Sequence, residues 1–297
     1  MIASPQTVVP TNAAQRMFHI WLGGQTRKAR AAGCLPQPGR PIEVPEPCKQ
    51  FIAGKRVLVT GSSKNIGEHI ALQLQAAGAQ VITSARSRSN NPLLANASHV
   101  TLDLADKTSI NMAVKQLTAP LDVLVLNAGV ASNLSFEVNV LGNARFLTQL
   151  MEAHIVVPGK TRVVVVTGDI YATENDCDFG FKGLETRKYS QSKLGLNWWC
   201  LETLQANAAL DFCLVHPGVV DTDLVSIPGF SLIKRWLMLT SPMGAYAVSM
   251  AASLPENEFR KAGYLINTVG WAKLSPEDPM NRMKRRQEFA AMVNSML

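Results

Sequence analysis

The chain has 297 residues, 47% of them hydrophobic and only 17% charged, with a formal net charge of +7. Such a chain buries a full core, which excludes a disordered protein and fits one ordinary domain plus a tail. No run of about 18 apolar residues is present, so nothing spans a membrane by hydropathy. The five cysteines, Cys34, Cys48, Cys177, Cys200 and Cys213, lack CxxC spacing and metal-type pairing with the histidines. They argue against a disulfide framework and a metal site, and suit a reducing, cytoplasmic setting.

Residues 1–50 read as an extension. Asn12 to Ala32 reads as a helix with Met17, Phe18, Trp21 and Leu22 on one side, weakened by Gly23 and Gly24. Pro36, Pro38, Pro41, Pro45 and Pro47 then form a stiff linker. Arg16, Arg27, Lys28, Arg30 and Arg40 meet no acidic residue before Glu43. Three readings stay open: a helix packed on the domain or on a second subunit, an interfacial membrane helix, and an organelle-targeting segment. Arg282, Lys284, Arg285 and Arg286 make the other end basic too, and both ends suit an anionic surface. Nucleic acid is not expected, because no recognition motif or aromatic-basic interleaving accompanies the charge.

From Arg56 strands and helices alternate. Strands are expected over 56–60, 80–84, 99–102, 121–126, 162–166 and 211–215, with 263–266 as a seventh, edge strand. Helices are expected over 66–77, 106–117, 134–154, 189–205 and 243–253. Runs such as LDVLVL and RVVVV are apolar throughout, which implies a parallel sheet covered on both faces. The expected fold is α/β, a doubly wound Rossmann-like sheet over 51–297, with its ligand at the carboxyl ends of the strands.

The residue types at those ends suit a nucleotide. In KRVLVTGSSKNIG, Gly61 allows a sharp turn after the first strand and Gly67 allows close approach to a pyrophosphate. An ordinary strand-to-helix turn is the alternative. After the second strand, Ser84, Ala85 and Arg86 offer room and a cation for a 2′-phosphate, with Lys64 nearby and no carboxylate for a ribose hydroxyl. NADP(H) is therefore expected over NAD(H), against a reading of two solvated charges. Asp103 can accept from an adenine amino group beside the Leu104 amide, or cap a turn. Asn127-Ala128-Gly129 lets a cofactor pass close while the Asn amide ties strands together, or is a plain turn. Tyr189 and Lys193 are four apart in a helix and share a face. A nearby ammonium with an oxidised nicotinamide lowers a phenol from about 10, making a general acid or base for hydride chemistry. The same spacing also occurs on exposed helices without function.

Together, TGSSKNIG, Asp103, NAG at 127–129, NVLG at 139–142, RVVVVTG at 162–168, YSQSK at 189–193 and HPGVVDT at 216–222 resemble the short-chain dehydrogenase/reductase family. SPMGAYAVSMAAS, GYLINTVGWAKLSP and the closing basic helix resemble its retinol-dehydrogenase-like branch. The resemblance implies that Gly61, Ser63, Lys64, Asn65, Ile66 and Gly67 line the diphosphate and ribose. Arg86 with Lys64 selects NADP(H), Asp103 and Leu104 hold adenine, and Asn127, Ala128 and Gly129 line the cofactor. Tyr189 is the proton donor or acceptor, and Lys193 bonds the nicotinamide ribose and lowers the phenol pKa. Asn139 holds the water of a proton relay. Thr222, after Pro217 and Gly218, bonds the carboxamide or diphosphate, with Val219 or Val220 beside the nicotinamide.

Three departures stand out. Asn65 replaces the middle glycine, which an Asn tolerates in left-handed backbone. Only nine residues separate Gly129 from Asn139, so the stretch between looks trimmed. Gly168 occupies the place of the substrate-orienting Ser, and Thr167 substitutes only if the backbone shifts by one residue. The main expectation is an NADP(H)-dependent oxidoreductase acting on a carbonyl or alcohol of an apolar small molecule. The apolar stretch 224–239, LVSIPGFSLIKRWLML, would then be a substrate lid, a buried helix pair or a dimer contact. Lys234 and Arg235 in it also suit contact with a membrane surface. The alternative is a catalytically weak or inactive NADP(H)-binding regulatory or scaffold protein, alone or as a homo-oligomer.

Overall fold

Strands that are apolar at every position leave no face for water, and the protein places them in one sheet with helices on both sides. The computed structural model describes residues 7–9, 42–174, 176–177, 183–204, 206, 210–222, 238–267 and 269–297. The helix expected over 12–32, most of the proline linker and the apolar stretch 224–237 lie outside the described residues. The strands are β1 (Thr7–Val9), β2 (Arg56–Thr60), β3 (Gln80–Ala85), β4 (Ser98–Thr101), β5 (Val123–Leu126), β6 (Arg162–Val166), β7 (Asp211–His216), β8 (Gly263–Ile266) and β9 (Gly270–Leu274). Their order is β1-β9-β8-β7-β6-β5-β2-β3-β4. From β8 to β4 every pair is parallel; β9 is antiparallel to β8, and β1 follows β9.

The helices are α1 (Glu46–Ile52), α2 (Asn65–Ala76), α3 (Lys107–Gln116), α4 (Asn143–Glu152), α5 (Glu185–Trp199), α6 (Ser241–Ser253) and α7 (Met283–Asn294). Alternation along β6 divides the core: Val164 and Val166 pack with α1, α2 and α6, while Val163 and Val165 pack with α3, α4, α5 and α7. The strand order reverses between β2 and β5, which opens a crevice at their carboxyl ends.

Some expectations are corrected. The strand 263–266 is not the edge, because β9 and then β1 extend the sheet beyond it. The helix expected over 134–154 is present over 135–152 but is not regular: a π-helical turn, Glu137–Gly142, runs into α4. Asn143 Nδ2 donates to the carbonyls of Val138 at 3.1 Å and Asn139 at 3.2 Å, inserting a side chain into the helical ladder. A second π turn, Cys200–Leu204, continues α5. The division placed at residue 50 falls inside α1, which buries Cys48 and Ile52. The basic C-terminal helix is partly neutralised: Arg285 pairs with Asp176 at 2.9 Å and Glu288 at 2.7 Å, and Arg286 pairs with Glu202.

Helix α7 holds α5 in place. Phe289 meets Trp198 edge-on at 5.9 Å between ring centroids, and Trp199 Nε1 donates to Asn294 Oδ1 at 2.9 Å. On the opposite face, α6 ends without a capping glycine. Buried Arg162 answers its carbonyls instead, donating to Leu254 O at 2.6 Å and to Ala251 O and Ala252 O at 3.3 Å. Its guanidinium also stacks on Phe51 and Phe259, 4.5 and 4.1 Å from the ring centroids. Replacing Arg162 by Met leaves those carbonyls unanswered in the core. The expected loss is about 3 kcal/mol of unfolding free energy, read as a lower denaturant midpoint at unchanged slope.

Candidate active site

The site begins where β2 meets α2. Gly61 takes a φ of 67°, and a Cβ there would lie 2.9 Å from Ala128 Cα. A Cβ on Gly67 would fall 2.2 Å from the Gly61 carbonyl oxygen, so α2 starts against bare backbone. Asn65 adopts a φ of 53°, and the turn survives the loss of the middle glycine. Ser62, which sequence reasoning passed over, accepts at Oγ from the Ser84 amide at 2.8 Å and ties the turn to β3.

Asn127 closes the knot from β5. Its Nδ2 donates to Thr60 O at 2.9 Å and to Gly61 O at 3.4 Å. Thr60 Oγ1 accepts from the amides of Asn127 and Ala128, both at 3.0 Å. The strand-tying expected of this Asn is what the structure shows.

Above this floor lies a cleft of about 320 Å³. Of the residues given a site role in the sequence, all but Asn139, Gly168, Gly218, Val219 and Val220 line it. Val220 is buried and turns toward α6, where its Cγ2 sits 2.4 Å from the Cβ position of Gly244; Gly218 lies beneath Leu239. Leu102, Ala105, Val130, Leu134, Val138 and Val166 line the cleft unforeseen, and five of the six adjoin residues that were singled out. Lys64 and Arg86 are exposed at one end of it. Asp103 uses one carboxylate oxygen within its turn, accepting from the Ala105 amide at 2.9 Å.

At the other end stand Tyr189 and Lys193 of α5. Lys193 is buried and its Nζ donates to Val166 O, at the end of β6, at 3.1 Å. It lies 5.8 Å from the Tyr189 ring centroid. Burial pushes the phenol up to about 12 and the ammonium down to about 8. The lowered phenol expected from the sequence needs an oxidised nicotinamide beside the ammonium; in the protein alone the loss of water sets the direction, upward. Asn139 sits in the π turn behind this pair. Its Oδ1 accepts from the Val130 amide at 2.8 Å, and its Nδ2 donates to Val130 O at 2.8 Å and Ser192 Oγ at 2.9 Å. Its side chain braces the residue next to Lys193 rather than facing the cleft.

The trimmed stretch is fastened to α5. Asn133 donates to Glu185 Oε1 at 3.0 Å and accepts from Lys188 Nζ at 2.7 Å. Gly168 faces the phenol: a Cβ there would be 4.0 Å from the Tyr189 hydroxyl. The Thr167 hydroxyl is buried and has no hydrogen-bond partner among the described residues.

The family described as short chain dehydrogenase matches residues 55–227. A probable oxidoreductase of Streptomyces antibioticus is 28% identical over 209 residues, 58% of this chain and 67% of the relative. Human retinol dehydrogenase 13 is 26% identical over 282 residues, 81% of this chain and 84% of the relative. A solved short chain dehydrogenase from Burkholderia cenocepacia, in complex with NADP, shares the fold with a TM-score of 0.57 at 23% identity, over 74% of this chain and 98% of that one. A match over more than half the chain, laid on a sheet of this order, makes the protein a member of the short-chain dehydrogenase/reductase family, with a likeness to its retinol-dehydrogenase-like branch.

Proposed function

We propose that the protein is an NADP(H)-dependent oxidoreductase that interconverts a carbonyl and an alcohol on an apolar small molecule, with Tyr189 as general acid or base. One observation carries this reading: a half-buried phenol, held neutral by loss of water, stands one helical turn from a buried ammonium, at the end of a backbone-floored cleft. The residues present fit the cofactor. Gly61 and Gly67 leave bare backbone where a diphosphate would approach, at the start of a helix. Lys64 and Arg86 supply cations beside small Ser84, and no carboxylate follows β3, which suits a 2′-phosphate. Asp103 and the Leu104 amide would hold adenine. Pro217 and Thr222 border the far side, toward the carboxamide.

When bound, the nicotinamide supplies or takes the hydride. Everything else falls to this chain. Tyr189 gives its proton to a carbonyl oxygen in reduction and removes one from an alcohol in oxidation. Lys193, anchored on Val166, would hold the ribose of the bound cofactor and turn its charge toward the phenol. Asn139 keeps α5 in register with the Val130 turn. Thr167 joins only if the backbone shifts by one residue. The absent hydroxyl at Gly168 favours a second reading, an NADP(H)-binding regulator with little or no turnover.

Tyr189→Phe should lower NADPH-dependent carbonyl reduction by about 10²- to 10⁴-fold while NADPH affinity holds. Tight NADPH binding, with no turnover in either protein on a panel of apolar aldehydes and ketones, would favour the regulator. Arg86→Ala should weaken NADPH about tenfold and leave NADH unchanged, measured by fluorescence titration. A pH series tests Lys193. Its ammonium is held down at about 8 in the protein alone, and bonding to the ribose favours the charged form. Binding above pH 8 must then take up a proton, so NADPH affinity should fall about tenfold per pH unit there. In Lys193→Met that slope should vanish.

A further inference from the structure

Gly168 is a glycine for which neither torsion nor packing gives a reason. Its φ of −161° is extended backbone that any residue adopts. A Cβ on Gly61 or Gly67 would strike other atoms at 2.9 and 2.2 Å. Apart from its own chain neighbours, one on Gly168 meets nothing nearer than Ile170 Cγ2 at 3.8 Å and the Tyr189 hydroxyl at 4.0 Å, which are ordinary contacts. What the glycine leaves is room for one small group directly against the phenol. Thr167 does not fill it. Its hydroxyl oxygen is buried, and in extended backbone consecutive side chains lie on opposite faces. A carbonyl oxygen has two lone pairs. At this site Tyr189 serves one of them, and residue 168 has no donor for the other.

Resting on the reading of Tyr189 as proton donor, we propose that the space at Gly168 is a substrate subsite, filled by a hydroxyl of the substrate itself on the carbon next to the reacting carbonyl. The substrates are then α-hydroxy ketones with an apolar body, and the products vicinal diols. A hydroxyl in that position folds back in a five-membered ring to donate to the carbonyl oxygen. It thus lies beside the oxygen that Tyr189 protonates, where a hydroxyl carried by residue 168 would otherwise lie. In reduction the carbonyl carbon gains a hydride from NADPH, leaving NADP⁺. The phenol proton goes to the carbonyl oxygen, and solvent later restores it. The α-hydroxyl keeps its own proton throughout, and its hydrogen bond strengthens as charge builds on the oxygen. A side-chain hydroxyl at 168 would serve the same lone pair and compete for the same space.

The test uses the full chain with NADPH and pairs of ketones in which hydroxyl is exchanged for methyl, such as 2-hydroxyacetophenone with propiophenone, and long-chain aliphatic equivalents. Intrinsic reactivity within a pair is the same for every variant, so the change in the kcat/KM ratio isolates the site. Wild type should favour the hydroxy ketone over its methyl partner by roughly tenfold or more beyond the ratio shown by Gly168→Ser. Gly168→Ser should gain on the methyl ketones, and Gly168→Ala, which fills the space without a donor, should lose on the hydroxy ketones. Calorimetric affinities of the diol and of the single alcohol should show the same preference without turnover. Unchanged thermal melting of both variants confirms that the added atoms fit. A ratio equal in wild type and Gly168→Ser, or higher for methyl in wild type, overturns the subsite and leaves the oxidoreductase reading intact. No reduction of any ketone, with Tyr189→Phe indistinguishable from wild type, overturns both.

Discussion

The cleft depends on one crowded junction. Thr60, Gly61, Gly67 and Asn127 bring the ends of β2 and β5 and the start of α2 within hydrogen-bonding distance of each other. No Cβ fits at either glycine, so the floor of the site is backbone rather than side chain. That is the surface a diphosphate needs: close approach, amide donors and the positive end of a helix. The knot also fixes where the parallel sheet splits, because β2 and β5 part company at their carboxyl ends immediately beyond it.

The second half of the site is built by a different device. Helix α5 is positioned from its outer face, where Phe289 wedges against Trp198 and Asn294 receives the Trp199 indole. From its inner face Lys193 reaches Val166 and Ser192 receives Asn139. The π turn is what aims Asn139. Asn143 opens the ladder by bonding two carbonyls at once, and the helix entering the site is rotated relative to a continuous one. The trimmed segment 130–138 compensates for its shortness by bonding directly to the first turn of α5 through Asn133.

How far this was legible varied with how local the cause was. The apolar runs at 123–126 and 162–166 betray a doubly covered parallel sheet by themselves, and the tight turn at Gly61 and Gly67 and the shared helix face of Tyr189 and Lys193 are set at short range. Features set by distant partners were not readable. β9 carries a glycine and a lysine, and β1 is three residues long, so neither has a strand's signature until they pair with each other. The directions of Val220 and Asn139 depend on Gly244 and Ser192, which no periodicity brings to mind. The C-terminal arginines looked like a free basic face because Asp176 and Glu202 lie far off in the chain.

The phenol shows the same division most sharply. A tyrosine four residues from a lysine reads as an activated base, since opposite charge lowers a pKa. In the folded chain both groups lose water, and the ammonium lies 5.8 Å from the ring while its proton is engaged by Val166. Desolvation acts on each group in the direction that removes its charge, upward for the phenol and downward for the ammonium. The protein alone therefore favours the protonated phenol. On the proposed role of Tyr189, a further positive charge in the cleft would be needed to make it a base, so reduction would draw on what the fold already provides and oxidation on what the cofactor brings. That asymmetry follows from burial and needs no residue beyond those two.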